Sequence, residues 1–486
     1  MMELKSRQAR NVAVGVYVLS AALVVPGSAA AADTAKAPTF TKDIAPIFQE
    51  KCEACHRPDS IAPMSLMTFA EARPWARSIK ARVTDRQMPP WQIDRTVGIQ
   101  KFKNDRSLTD DQVETIVRWI DAGAPQGDPK DMPPAKQWPD GQGWNFAAAF
   151  GQKEPDLIIK SYDFTMPAVS QDIWDKRVTP SGITEPRWVR AIEIRPETMK
   201  GRKITHHAIA YLEQTEAGVA AVPGLPTPFM EWAVGKQGEM MRPDTGKLLL
   251  PGSKFRWDIH YSQAGEEITN KVEMGIYFYP KGQEPKYRTT LSLVPAALGT
   301  LDIRPNSVAV EEGFTTLREA ARIESFQAHM HLRGKAMMLE AILPSGQKQV
   351  ISLVSDFNFN WMTTYVYADD AAPLLPKGTI LKVTAWHDNT SAKKSNPDPN
   401  QWVGWGDRTV DEMAHAWINI VYMKDDDFKI EQDKRRAMQT TVTAQQYLHS
   451  TSRRKRCPED RCRVRCCRLR GVDVPRRPRS GTDVSS

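Results

Sequence analysis

The apolar pattern between residues 155 and 423 constrains the fold of this chain more than any other feature. Long helical periodicity is weak there, and short runs alternate between apolar and polar residues, as in Val272–Phe278. Alternation with period two is typical of strands that pack one face against a core. The segment is therefore predicted to be all-β, as two jelly-roll-like sandwich domains over residues 151–295 and 296–425.

Cysteine usage adds a second constraint on this segment. None of the six cysteines lies between residues 155 and 423, so disulfides cannot hold the sandwiches together and a packed core must do so. The chain has 486 residues, which at roughly 150 residues per domain predicts about three domains. A further folded domain is therefore expected outside the β-rich segment.

Residues 52–56 read Cys-Glu-Ala-Cys-His, the spacing of c-type haem attachment. The thiols of Cys52 and Cys55 would form thioether bonds to the porphyrin, and His56 would bind the iron. The alternative interpretation is a small disulfide with an incidental histidine. Covalent haem attachment occurs outside the cytosol, so an export signal would favour haem. The motif predicts one covalently bound haem c.

The haem iron needs a sixth ligand or an open site, and three methionines follow the motif. Met88 is the best candidate because the rigid, non-helical Pro89-Pro90-Trp91 segment follows it and can hold a thioether over the haem without a helix. Met64 and Met67 are predicted to pack in the core instead.

A capping-box pattern at Thr109 and Gln112 predicts a helix that ends at Gly123. Residues 36–128 resemble a small monohaem cytochrome c, which implies a small all-α domain ahead of the β-sandwiches. The proline-rich residues 129–150 are predicted to be a linker.

The N-terminus has the pattern of a secretory signal over residues 1–32. Basic residues precede an apolar run over Val12–Val25, and small residues follow it. The run is too short to span a membrane, which takes roughly 20 residues. A periplasmic or secreted protein without stable membrane insertion is therefore expected.

The net charge of +8 is confined to one end of the chain. Residues 453–486 contain twelve basic and four acidic residues, so the other 452 residues are balanced. This Cys-rich tail ends a C-terminal extension over residues 426–486 and fits no paired-ligand zinc spacing. It is interpreted as disordered, with a basic interaction tail and a shifted reading frame as alternatives. Nothing in the balanced part favours nucleic acid.

Histidine placement carries the chemical information in the β-rich segment. His329 and His331, two apart on a strand, point to one face and can chelate one ion. His206 and His207 would point to opposite faces of a regular strand, so both can bind one ion only if a bulge or twist redirects one of them. Each of these histidine fragments alone is weak evidence for a metal site, because an isolated histidine on a strand is more often structural.

The order of these fragments resembles the copper type II, ascorbate-dependent monooxygenases, the family of the peptidylglycine and dopamine hydroxylases. A His-His pair is followed by a His-Tyr strand at His260, by His-x-His, and by Asp411-Glu412-Met413 before an apolar strand. The resemblance covers residues 155–423 at low identity. The ligand motifs match in number, type and order.

This resemblance implies two copper ions. An electron-relay copper in the first sandwich would be bound by His206, His207 and His260. An oxygen-activating copper in the second would be bound by His329, His331 and Met413. Imidazole suits both copper oxidation states, while a thioether favours Cu(I).

The resemblance also implies the reaction, in which O₂ hydroxylates a C–H bond of a small organic substrate. Family members take electrons from ascorbate, whereas this chain has its own predicted haem. Electrons are expected to run from an external donor, a redox protein or a small reductant, to the haem, to the three-His copper and then to the His-His-Met copper.

Two positions bear on the substrate. The peptide-amidating branch has an arginine two residues before His-x-His, but this chain has Gln327, so a glycine-extended peptide is not expected. Gln327 is a candidate pocket residue. His415, two residues beyond Met413, could line the pocket, compete as a ligand or be structural. His387 and His449 are interpreted as structural or incidental.

Two other functional classes stay open at this stage. The chain could be a haem and copper electron-transfer or copper-binding protein without oxygenase activity, or a cell-surface β-sandwich binding module with a cytochrome attached. Metal content separates the third from the first two, and product detection separates the oxygenase from the electron-transfer protein.

Overall fold

A computed structural model describes residues 37–438, except 59, 104, 139–142, 217–226, 234–235 and 237. The predicted signal at 1–32 and the basic tail from 453 lie outside the described residues. Within the described part of the chain, no helix is long and apolar enough to cross a membrane. The structure is mostly β-sheet, as the alternation predicts.

Short helices precede the sheets. They are α1 (Ala45–Lys51), α2 (Phe69–Ala72), α3 (Ala76–Thr84) and α4 (Asp110–Asp121). α4 begins with the predicted capping box, in which the Thr109 side chain and Gln112 cap each other's backbone N–H groups. These helices share a small core that includes Phe48, Ile116 and Trp119. Met64 packs against that core, as predicted.

Two 3₁₀ helices (Pro129–Asp131 and Ala147–Phe150), twenty-three strands and one further short α-helix follow in the described residues. Those before residue 300 are β1 (Leu157–Lys160), β2 (Phe164–Met166), β3 (Ile173–Asp175), β4 (Val178–Pro180), β5 (Arg187–Pro196), α5 (Gly201–Ile204), β6 (Thr205–Glu213), β7 (Thr227–Ala233), β8 (Glu239–Met240), β9 (Thr245–Leu249), β10 (Lys254–Tyr261), β11 (Ile268–Asn270), β12 (Val272–Phe278) and β13 (Tyr287–Ala297). The later ones are β14 (Asp302–Ile303), β15 (Val308–Thr316), β16 (Ala320–His329), β17 (Gly334–Ile342), β18 (Lys348–Val354), β19 (Tyr365–Val366), β20 (Leu374–Leu375), β21 (Ile380–Asp388), β22 (Val403–Gly404) and β23 (Ala414–Met423).

One ten-stranded sheet runs through both predicted modules. Its order is β1-β12-β5-β9-β13-β23-β16-β19, with β8 on β5 and β20 on β16. The parallel pairing of β9 with β13 at Tyr287 joins the two halves. From Thr289 onward β13 pairs with β23, so most of this strand belongs to the second half of the sheet.

Two smaller sheets complete the layers. A five-stranded sheet, β3-β10-β6-β7 with β4 on β10, encloses the first core, which includes Ile192 and Trp257. A four-stranded sheet, β15-β21-β17-β18, encloses the second core, which includes Phe326 and Leu339. Both cores are built from buried apolar side chains, so hydrophobic burial holds the described β-rich segment together.

The five-stranded sheet also packs by its outer face against β13 and β23. Ile209 of β6, Leu291 of β13 and Trp417 of β23 form a separate buried cluster at this contact. Because β6 lies against the face of the long sheet opposite the second core, the histidine-bearing ends of β6 and β16 meet at this interface.

Candidate metal centre

Three histidines converge where β6 and β10 pair. His207 lies opposite His260, and Tyr261 lies opposite Thr205, so His206 is the extra residue of a β-bulge. A bulge rotates its extra residue out of the regular alternation. The structure therefore contains the distortion that two adjacent histidines need in order to face one ion.

The ligand nitrogens of this three-His cluster are close enough to share an ion. One ring nitrogen from each of His206, His207 and His260 lies within 4.8 Å of the others. The Nδ1 atoms of His206 and His207 are 3.3 Å apart. Burial, with nearby His260, lowers the pKa of His206 to about 4 and that of His207 well below its usual value. Neutral imidazoles present the lone pairs that a metal requires.

His260 is held from two sides. Its Nε2 lies 3.0 Å from Oδ2 of Asp172, and Trp174 stacks on its ring at 4.4 Å. Contact with His260 lowers the pKa of Asp172 to about 2, and Asp172 also accepts a hydrogen bond from Thr409. Both ring nitrogens of His260 are buried without an aligned hydrogen bond, and Nε2 has only its close contact with Asp172. Nδ1 is therefore the nitrogen available to a metal.

His329 and His331 lie at the end of β16, with ring centroids 5.6 Å apart. Nδ1 of His331 is 3.1 Å from the carbonyl oxygen of Asp411. A carbonyl only accepts, so Nδ1 donates and Nε2 carries the lone pair. Nδ1 of His329 is buried without a partner. Burial lowers the pKa of His331 to about 4 and that of His329 well below its usual value.

The segment that carries Met413 is attached to this pair through its backbone. The Glu412 carboxylate accepts hydrogen bonds from the backbone N–H groups of His331 (2.8 Å) and Arg333. Nε2 of His387 donates to the Met413 carbonyl at 3.1 Å. The structure thereby brings Met413 beside the His-x-His segment and gives buried His387 a positioning contact.

The two histidine groups adjoin each other. The ring centroids of His207 and His329 are 6.1 Å apart, with the rings perpendicular. Phe359 stacks on His206 at 4.6 Å and lies edge-on to His331 at 5.9 Å. The predicted ligands from both modules therefore share one largely buried site at the interface.

A polar patch lies beside His329 on the same face of β16 and β23. His415 pairs with His329 in register and stacks on it at 4.4 Å, and Trp417 pairs with Gln327. The Oε1 atom of Gln327 accepts a hydrogen bond from Thr364. Three further polar atoms are buried without hydrogen-bond partners: Nε2 of Gln327, Nε2 of His415 and Nε1 of Trp417.

Several residues of the site escaped the sequence analysis. Trp417 could have been found, because it follows His415 by two residues on a strand and so shares its face. Asp172 and Phe359 offered no pattern, since each contacts residues far away in the chain and lies in a loop. Glu412 belongs to the Asp411-Glu412-Met413 motif, but nothing in that motif indicated its contacts with His331 and Arg333. Only packing brings them to the site.

The Cys-x-x-Cys-His motif lies just after α1. Cys52 and Cys55 are free, which does not agree with the disulfide interpretation. Nδ1 of His56 lies 3.2 Å from the Met64 carbonyl oxygen, so it donates and leaves Nε2 for a metal. Burial raises the pKa of Cys52 to about 12. Met88 is half-buried and its backbone N–H donates to the Arg82 carbonyl.

We expect the metal-free protein to lose stability in mild acid. Burial lowers the pKa of His331 and of His387 to about 4 and that of His415 to about 3. Below pH 6.5 these histidines become protonated in the unfolded chain but stay neutral in the folded chain. Each of them therefore lowers the free energy of unfolding by about 1.4 kcal/mol per pH unit. Urea unfolding at pH 7 and pH 5 should show a loss of several kcal/mol. An unchanged free energy of unfolding would contradict the buried, neutral state.

Comparisons with known proteins assign this chain to no family. No family and no curated protein matches it. Among solved structures, an infectious bursal disease virus Gx strain structure is 11% identical, with a TM-score of 0.16 over 55% of this chain and 73% of its own. A VP2 subviral particle of the same virus is 11% identical, with a TM-score of 0.15 over 55% and 72%. Similarities this weak carry no argument about function.

Proposed function

We propose that this protein is a copper-dependent monooxygenase that hydroxylates a C–H bond of a small organic substrate with O₂ and receives electrons through a fused c-type haem. The observation that supports it is the convergence of His206, His207 and His260 on one buried point beside His329 and His331. Burial lowers the pKa of four of these imidazoles, those of His206, His207, His329 and His331. Burying four neutral imidazoles together is costly, and a bound metal would explain it.

The donor set favours copper. Imidazole nitrogens suit both Cu(I) and Cu(II), and a thioether from Met413 would add a soft ligand for Cu(I) in the second group. Bound copper would supply one-electron transfer and oxygen activation. The chain's own part is to hold the imidazoles. Asp172 and Trp174 pack against His260, the Asp411 carbonyl orients His331, and Phe359 contacts one ring of each group.

The haem proposal rests on the Cys-x-x-Cys-His motif, on its two free thiols and on the free Nε2 atom of its histidine. Free Cys52 and Cys55 would carry the porphyrin, and His56, with Nε2 free, would ligate the iron. Met88 is the proposed sixth ligand. Haem would supply electrons one at a time. In this proposal residues 36–128 are a cytochrome c domain, the two β modules are jelly-roll-like sandwiches, and the signal at 1–32 exports the protein to the periplasm or beyond.

The polar patch beside His329 is the proposed substrate pocket. Buried donors on Gln327 and Trp417 without partners, together with His415, would bind a small substrate that carries a hydrogen-bond acceptor. Each unpaired buried donor costs about 1–3 kcal/mol, so a ligand that satisfies them recovers that free energy. Gln327 carries no charge, which disfavours a substrate held by a salt bridge at this position.

Metal analysis and product detection together test the proposed function. We expect one haem and two copper ions per chain in the reconstituted, full-length protein. The reduced protein, exposed to oxygen with a library of small polar molecules, should add one oxygen atom to some of them, as read by mass spectrometry. Two coppers with peroxide alone as product would support the electron-transfer alternative, and a chain that binds no copper would overturn both.

A further inference from the structure

The segment over residues 91–103 leaves the helices and joins the second β module. Ile93 forms a β-bridge with Val354 of β18, and Phe102 forms one with Tyr367. Backbone N–H groups of residues 94, 99 and 103 donate to carbonyls of residues 353, 351 and 366 at 2.7–2.9 Å. This segment, which the sequence boundaries place in the cytochrome-like region, is therefore attached to β18 of the four-stranded sheet and to β19 of the long sheet, which also carries His329.

Trp91 is the point where the segment enters the second core. Its side chain is 9% exposed, and its ring lies edge-on to Tyr365 at a centroid distance of 4.8 Å. The backbone N–H of Gln92 donates to the Tyr365 hydroxyl at 3.1 Å. Phe102 packs against both rings, at 5.7 Å from Trp91 and 5.8 Å from Tyr365.

The aromatic cluster continues to the strand that carries the second histidine group. Tyr365 of β19 pairs with Phe326 of β16, and β16 ends at His329. Gln92 and Ala328 line the same small cavity, and Ala328 directly precedes His329. Ring contact and strand pairing therefore lead from Trp91 through Tyr365 to Phe326 of β16, the strand that ends at His329.

The other end of the cluster is close to the haem motif. Met88, the proposed sixth ligand, is three residues before Trp91. Nζ of Lys51, the residue before Cys52, donates a hydrogen bond to the Asp105 carbonyl at 3.0 Å, and Asp105 is three residues beyond Phe102. A direct contact therefore joins the haem motif to the segment that carries the aromatic cluster.

We propose, resting on the proposed function, that electrons leave the haem through the contact of Trp91 with Tyr365 and first reach the copper at His329, His331 and Met413. With both groups bound, the haem iron would be oxidised from Fe(II) to Fe(III) and the copper reduced from Cu(II) to Cu(I), with no proton transferred. An external one-electron donor would then reduce the haem again. Trp91 is a positioning residue that supplies packed contact and is not itself oxidised. This order differs from the relay that the family resemblance implies, in which the three-His copper is reduced first.

The test follows haem absorbance in the haem- and copper-loaded protein, without oxygen or substrate. A photoreductant delivers one electron to the haem, and reoxidation of the haem by copper is timed. We expect Trp91→Leu and Trp91→Met to slow reoxidation by about tenfold or more and Trp91→Phe to stay within about twofold of wild type. Trp75→Leu, at a 43% exposed tryptophan in the helical region, is the matched control and should not change the rate.

Two ligand variants test which copper is reduced first. Fast reoxidation should persist in His260→Ala, which disrupts the three-His group, and disappear in Met413→Ala. The reverse pattern would overturn the proposed order, and a wild-type rate in folded, fully loaded Trp91→Leu or Trp91→Met would overturn the route. Absence of copper-dependent reoxidation in wild-type protein of normal haem and copper content would instead contradict the electron supply in the proposed function.

Discussion

A His207→Ala variant is expected to lose one of two bound copper ions and at least about a hundredfold in product formation. His207 lies opposite His260 in the strand pairing and 6.1 Å from His329, so its loss opens the three-His cluster on the side that faces the second group. Changes to groups that only orient a ligand already cost 10–100-fold in metal affinity or activity. Removing a ligand should cost at least as much.

Copper content and product yield, measured on the same preparation, check this prediction. His449→Ala is a suitable control, because His449 lies outside the described residues and the sequence analysis assigns it no chemical role. The variant should keep its far-ultraviolet circular dichroism spectrum and its haem. Two coppers per chain with wild-type product yield in His207→Ala would remove this residue from the ligand set.

Glu412→Ala is expected to destabilise the protein by about 2–6 kcal/mol. The buried carboxylate accepts the backbone N–H groups of His331 and Arg333, and each buried donor left without a partner costs about 1–3 kcal/mol. The loss would also release the Met413 segment from the His-x-His segment. Urea unfolding of the metal-free variant near pH 7 measures the loss in the free energy of unfolding.

A graded series separates this role from a general charge effect. Glu412→Gln can accept only one of the two hydrogen bonds without placing its NH₂ group against an N–H, so it should fall between wild type and Glu412→Ala. Glu312, exposed on β15 and paired with Lys382, is the control, and Glu312→Ala should cost no more than about 1 kcal/mol. Equal effects at Glu312 and Glu412 would contradict the positioning role.

Much of the architecture could be predicted from local pattern. Alternation over Val272–Phe278 predicts the strand that the structure contains, although both faces of this strand are buried and not one as the alternation implies. The Thr109 capping box predicts the start of α4. Both signals are local, because side-chain direction and helix capping depend on residues a few positions apart. Pairing order was not predictable: the link from β9 to β13 joins both modules in one sheet, and nothing near Tyr287 in the sequence indicates it.

The residues of the candidate site also divide into those that local sequence predicts and those that depend on tertiary packing. Residue type and spacing indicate that His329 and His331 share a face and that Cys52, Cys55 and His56 form a haem motif. Whether His206 and His207 could bind one ion depended on a bulge, which arises from pairing with β10. The packing of Trp91 is the clearest example of a contact that local sequence does not predict. A tryptophan after two prolines gives no indication that its ring lies 4.8 Å from that of Tyr365.

The sequence by itself determined the strand-rich segment, the chemical types of the predicted ligands and their order along the chain. Tertiary structure alone decided that the three-His cluster converges, that it lies beside His329 and that Glu412 fastens the Met413 segment to its neighbours. The physical reason is that a ligand set is defined by distances of a few ångströms between residues far apart in the chain. Such distances follow from strand register and packing between sheets, which no local pattern encodes.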